Sequence, residues 1–109
     1  MATATNNYPI TPTIITLPDG TEEQTIGGEK RWLRNGKLHR EDGPAVIWAG
    51  GQEWFSNGKR HRDDGPAVVW TDGQIWWYLF GTRHEFKSYV RKQFSRNTPE
   101  ATAFILKWS

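Results

Sequence analysis

Trp32-Leu33-Arg34-Asn35-Gly36-Lys37-Leu38-His39-Arg40-Glu41-Asp42-Gly43-Pro44-Ala45-Val46-Ile47-Trp48 is repeated, 22 residues on, by the run from Trp54 to Trp70. Trp54, Asn57, Gly58, Lys59, His61, Arg62, Asp64, Gly65, Pro66, Ala67, Val68 and Trp70 all fall at the matching places. A third, decayed copy opens at Trp77, with Gly81, Arg83 and His84 offset by 23 from Gly58, Arg60 and His61. A glycine stands four residues ahead of each leading tryptophan, at Gly28, Gly50 and Gly73. Such identity at a fixed period marks a repeat architecture, in which each unit buries its apolar face against its neighbours.

Each unit reads as turn, strand, turn, strand. Asn35-Gly36 and Asn57-Gly58 are strong hairpin signals, because the favoured two-residue turn needs positive φ at both central positions. Ala45–Trp48 and Ala67–Trp70 are short, β-branched and aromatic, as strands are. Asp-Gly-Pro ahead of each breaks the ladder, since proline has no N–H to give it. Upstream, Thr13–Leu17, Pro18-Asp19-Gly20 and Thr21–Ile26 predict one more, atypical hairpin acting as a cap. Pro9 and Pro12 among threonines and asparagines predict a loose arm over residues 1–12.

Downstream the period changes. Phe86, Tyr89, Val90 and Phe94 fall at i, i+3, i+4 and i+8, the stripe of an amphipathic helix. Thr98-Pro99-Glu100 then supplies an N-cap, a proline at the first helical position and an acid in the first turn. Ala101, Phe104, Ile105 and Trp108 form the apolar face of this second helix. The expected fold is mainly β (α+β): an antiparallel meander of repeated β-hairpins capped by two short C-terminal helices. Its parts are the arm (1–12), the repeat sheet (13–83, with units at about 28–49, 50–72 and 73–84) and the helical cap (84–109).

Composition narrows the function. With 109 residues the chain makes one domain. Seven tryptophans stand among 14% aromatics in a chain only 36% hydrophobic, so burial rests on a few large flat side chains. The absence of cysteine removes disulfides and thiolate–metal sites and fits a reducing compartment. Met1–Asn7 has neither the basic start nor the apolar stretch of a signal peptide. No apolar run, Ala103–Leu106 included, comes near the length of a membrane span, so a cytoplasmic protein is expected. Residues 1–28 hold three acids (Asp19, Glu22, Glu23) and no base, leaving residues 29–109 at +5 within a net charge of +2. That balance permits an acidic partner or nucleic acid without requiring one.

The pattern W-x2-NG-x2-HR-x-DGPA, read through Trp32–Ala45 and Trp54–Ala67 and partly through Trp77–His84, resembles the MORN-like repeats of phage and large-DNA-virus proteins. The resemblance covers Gly28 to His84, about half the chain. It implies an elongated sheet of hairpins used for attachment to other proteins or to lipid head groups. His39-Arg40 and His61-Arg62 stand where ordinary MORN units carry His-Gly. A viral origin would place the protein in the host cytoplasm.

His39-Arg40-x-Asp42 and His61-Arg62-x-Asp64 are the chief polar clusters, and two readings of them stand side by side. As a binding site, they present arginines that can grip phosphate or carboxylate bidentately. As structure, Asp42 and Asp64 accept backbone N–H groups in the turn while Arg and His brace the corner. Structural positions recur in every unit, which favours the second. His39, His61 and His84 would lie about 10 Å apart, with two strands of about 4.8 Å per unit. That is too far to share a metal with ligands at about 2 Å. No metal or cofactor is expected.

Trp32, Trp54 and Trp77 are expected to stack as a ladder on one face, with Trp48 and Trp70 as a second set. The alternative for such tryptophans is a base-stacking platform served by Lys37, Lys59 and Arg60. Lys87, Arg91, Lys92 and Arg96 form the basic side of the first helix, by default a solvated face and otherwise a site for a phosphate backbone or an acidic surface. No nucleophile elbow, P-loop or zinc-protease motif is present.

The leading expectation is therefore a non-catalytic phage or viral accessory module. It would bind a host or viral protein through its repeat sheet or helical end. The rival is an anion-binding module for nucleic acid or a nucleotide, using the His-Arg pairs and the basic helix. The Phe104–Trp108 segment adds an expectation of a homodimer, against the view that it folds back onto the tryptophans.

Overall fold

A computed structural model of the chain describes residues 11–109. The loose arm expected over 1–12 lies almost wholly outside them. The strands are β1 (Thr13–Thr16), β2 (Glu22–Ile26), β3 (Glu29–Arg34), β4 (Lys37–Leu38), β5 (Val46–Trp48), β6 (Gly51–Glu53), β7 (Phe55–Ser56), β8 (Lys59–Arg60), β9 (Val68–Trp70), β10 (Ile75–Leu79) and β11 (Thr82–His84). Two helices follow, α1 (Phe86–Gln93) and α2 (Pro99–Trp108). Nine strands form one antiparallel sheet in the order β1-β2-β3-β5-β6-β9-β10-β11, with β4 paired to β3, and β7–β8 form a separate ladder. This is the predicted meander with its helical cap.

The turns follow the chemistry of their residues. Asn35 and Gly36 have φ of 52° and 78°, and Asn57 and Gly58 have 50° and 85°. Both central residues thus sit in the left-handed region, as a two-residue hairpin requires. The third unit keeps the turn without its asparagine: Phe80 takes φ 49° and Gly81 88°. Strand pairing therefore runs beyond Phe80, through Thr82–His84. The upstream hairpin turns at Asp19-Gly20, where the Asp19 carboxylate accepts the Thr21 amide at 2.9 Å. That bond holds the Asp19 carboxyl below its usual range.

Because units add side by side, the molecule is long: 59 × 32 × 20 Å, with a radius of gyration of 17.1 Å. A compact chain of this length would have about 13 Å.

Directly opposed residues of an antiparallel pair share a face. Register therefore places Trp32, Ile47, Val69 and Ile75 on one face, with Trp77 following Ile75 by two. Val46, Val68, Trp76, Trp48 and Trp70 lie on the other, with Tyr78 two residues beyond Trp76. The helices cover the first face only. Trp77 is 5% exposed, and its ring lies 4.7 Å from Tyr89, 5.0 Å from Phe86, 5.7 Å from Trp108 and 5.8 Å from Phe104. The Thr98 hydroxyl accepts the Ala101 amide at 3.1 Å, and Pro99 opens α2, as its sequence predicts. Phe104 and Trp108 thus belong to the chain's own core. The segment that suggested a homodimer leaves mainly Leu106, at 75% exposure, and part of Ile105 uncovered.

The tryptophan ladder differs from expectation. Trp32 and Trp54 share a face but lie two strands apart, about 10 Å, too far for their rings to meet. Each carries an arginine over its ring instead.

Candidate functional site

The repeated His-Arg-x-Asp-Gly-Pro segment forms a corner whose bonds recur unit by unit. The Arg40 guanidinium carbon lies 3.8 Å from the Trp32 ring centre, and Arg62 lies 3.9 Å from Trp54. Arg40 Nε donates to Asp42 at 3.1 Å and its Nη1 to the Pro44 carbonyl at 3.1 Å. Arg62 does the same to Asp64 at 3.0 Å and to the Pro66 carbonyl at 3.1 Å. Asp42 and Asp64 therefore accept from the guanidinium, not from backbone amides as expected. Their side chains remain 86% and 85% exposed. The planar arginine, rather than the aspartate, holds the turn, because its fork reaches two acceptors while its face lies on an indole.

The histidines tie each unit to the next. His39 Nδ1 accepts the Asn57 amide at 3.0 Å, and His61 Nδ1 accepts the Phe80 amide at 2.9 Å. Since Nδ1 accepts, Nε2 carries the proton and donates to Glu41 at 2.5 Å in one unit and to Asp63 at 2.8 Å in the other. The bond from His39 lowers the Glu41 carboxyl below its usual range, and the charge of Arg34 adds to it. His84 instead sits 3.2 Å from the Ser88 hydroxyl. Both ring nitrogens of His39 and His61 are thus engaged within the repeat. Arg40 and Arg62 are each stacked and doubly bonded.

A groove of about 460 Å³ separates the first corner from the second, running over Trp54. Its walls hold Glu41, Asp42, Asp63 and Asp64 against Arg40 and Arg62, so the corners present an acidic surface.

The face opposite the helices carries a row that sequence reading saw only in part. Trp48 and Trp70 flank Gly51 in register. Their rings meet edge to face at 5.6 Å, as do those of Trp70 and Trp76. The two glycines explain the approach. A Cβ at Gly50 would lie 2.6 Å from Trp48 Nε1, and one at Gly51 2.2 Å from the Val69 carbonyl oxygen. Arg83 lies 4.5 Å over Trp76. Arg60 sits 5.6 Å from both Phe55 and Tyr78 and bonds Glu53 at 2.7 Å. The Trp70 indole N–H is buried without a partner among the described residues. Trp76 and Arg83 were missed because the third unit is decayed; strict alternation along Ile75–Leu79 is the signal that would have found them.

Lys87, Arg91 and Lys92 are exposed on α1, and among the described residues none pairs with a carboxylate. Arg91 and Lys92 occupy the last turn, where the helix dipole favours cations. The corner arginines, by contrast, are engaged within the repeat.

No described helix is long and apolar enough to cross a membrane. Neither protein-family models, curated proteins nor solved structures return a match to the chain.

Proposed function

We propose that this chain is a non-catalytic binding module of the phage or viral accessory type, which grips a host or viral protein through the sheet face bearing Trp48, Trp70 and Trp76. One observation carries the reading: an aromatic row with Arg83 on its last ring lies on the face that the helical cap leaves uncovered. Tryptophan, tyrosine and arginine are the residues that concentrate binding energy at protein interfaces. The resemblance of the repeat to viral MORN-like units supports the accessory role and the host cytoplasm as its setting.

The rival anion-binding reading loses its main cations, because Arg40 and Arg62 are already stacked and bonded. It retains Lys87, Arg91 and Lys92. Affinity capture from host lysate, at low and high salt and with and without nuclease, separates the two. A protein partner held through the aromatic row survives both treatments and is lost in Trp76→Ala with Arg83→Ser, provided circular dichroism shows that variant folded. Partners that vanish on nuclease treatment, or fall steeply with salt, would transfer the function to the basic helix.

A further inference from the structure

The two corners are alike inside and differ in what lies beyond them. At the second, the Tyr89 hydroxyl accepts the Gly65 amide at 3.3 Å and donates to the Arg62 carbonyl. Gln93 Nε2 donates to the Asp63 carbonyl at 2.8 Å. Gly65 and Pro66 are buried under this cap, while Gly43 and Pro44 are half-exposed. At the first corner the matching groups are the Gly43 amide and the Arg40 and Glu41 carbonyls. None of them has a hydrogen-bond partner among the described residues. All three residues line the groove between the corners.

The decayed third unit shows what enters such a slot. Glu85 stands in sequence where Arg40 and Arg62 stand in the other units, and the residue that reaches the preceding corner is Tyr89, whose ring lies 4.7 Å from Trp77. A single group that both accepts from an amide and donates to a carbonyl is a hydroxyl. The four carboxylates of the groove outnumber its two arginines, so the occupant's neighbours should be basic. In the chain's own cap, Lys87 and Arg91 flank Tyr89.

We propose that the groove between the corners receives a tyrosine side chain carried on a basic segment of a partner protein. Its hydroxyl takes the Gly43 amide and donates to the Arg40 carbonyl, as Tyr89 does at Gly65 and Arg62. The site lies on the face opposite the tryptophan row, so it and the proposed function stand or fall separately.

The test is a titration of the ¹⁵N-labelled full chain with the capped peptide Lys-Ser-Tyr-Val-Arg, its phenylalanine analogue and its phosphotyrosine form. The expected result is saturable movement of the Gly43 amide resonance by the tyrosine peptide and binding roughly fivefold weaker with phenylalanine, for loss of one hydrogen-bonding group. The phosphate form, which brings two negative charges to the carboxylates, should not bind. Ser56→Phe, which fills the groove, should abolish the movement. No shift at Gly43 with millimolar peptide, or equal binding of the three peptides, would overturn the proposal. Shifts confined to the face of Trp48, Trp70 and Trp76 would overturn it too, and leave the proposed function in place.

Discussion

Arg62 lies flat on Trp54, its guanidinium carbon 3.9 Å from the ring centre, and the pair recurs as Arg40 on Trp32 at 3.8 Å. The stack places Nε and Nη1 on Asp64 and the Pro66 carbonyl at once. Lysine keeps the charge but has neither the plane nor the fork. Arg62→Lys should therefore cost about 1–3 kcal/mol in urea unfolding. Asp64→Ala should cost under about 1 kcal/mol, because its carboxylate is solvent-exposed. Equal losses in the two variants would show that the carboxylate holds the corner.

Tyr89 joins the helical cap to the second corner. Tyr89→Phe keeps the ring against Trp77 but leaves the Gly65 amide and Arg62 carbonyl unpaired, at a cost of about 1–3 kcal/mol. The same residue predicts alkaline sensitivity. Burial pushes its pKa up to about 12 from the ordinary 10.0, so the folded state favours the neutral phenol. The stability this contributes is whole below pH 10 and drains as pH rises towards 12. Wild type should lose more stability than Tyr89→Phe across that window. Parallel curves would mean that the phenol ionises without unfolding cost.

Phe80 holds φ 49° while 70% exposed, a conformation that suits asparagine and penalises an aromatic residue. Its ring stacks on His61 at 4.1 Å, which offsets part of the strain. Phe80→Asn restores the residue used at Asn35 and Asn57 and should raise stability by about 0.5–1 kcal/mol, read as a higher Tm. An unchanged or lower Tm would show that the stack balances or outweighs the strain.

Gly51 lets Trp48 and Trp70 close over it. Gly51→Ala drives a Cβ into the Val69 carbonyl and should cost more than about 2 kcal/mol, with loss of near-ultraviolet dichroism from the paired indoles. Gly28→Ala is the control, since a Cβ there meets nothing within 4 Å. An intact indole signal in Gly51→Ala would remove the glycine's role in forming the row.

The local features of the chain were legible in its sequence. Asn-Gly turns, the 22-residue period, the α1 stripe and the Thr98-Pro99 cap all depend on residues close together, whose φ preferences and spacing act without distant help. The corner was half legible: its residues stood out by repetition, but the structural reading began from aspartates that turn out to serve an arginine. Nothing local could reveal that Arg40 and Arg62 lie on tryptophans eight residues upstream, because that contact needs the intervening hairpin to form first.

By itself, then, the sequence determined a hairpin meander with a helical end, since period and turn chemistry leave the backbone few other courses. Only the tertiary structure decided which aromatic row lies under the helices and which stays open. That choice depends on side-chain parity carried through Ala49-Gly50, where a slip of one residue would exchange the faces. It also decided that Tyr89 seals the corner 24 residues before it, a bond between a helix and a turn for which the chain carries no local signal.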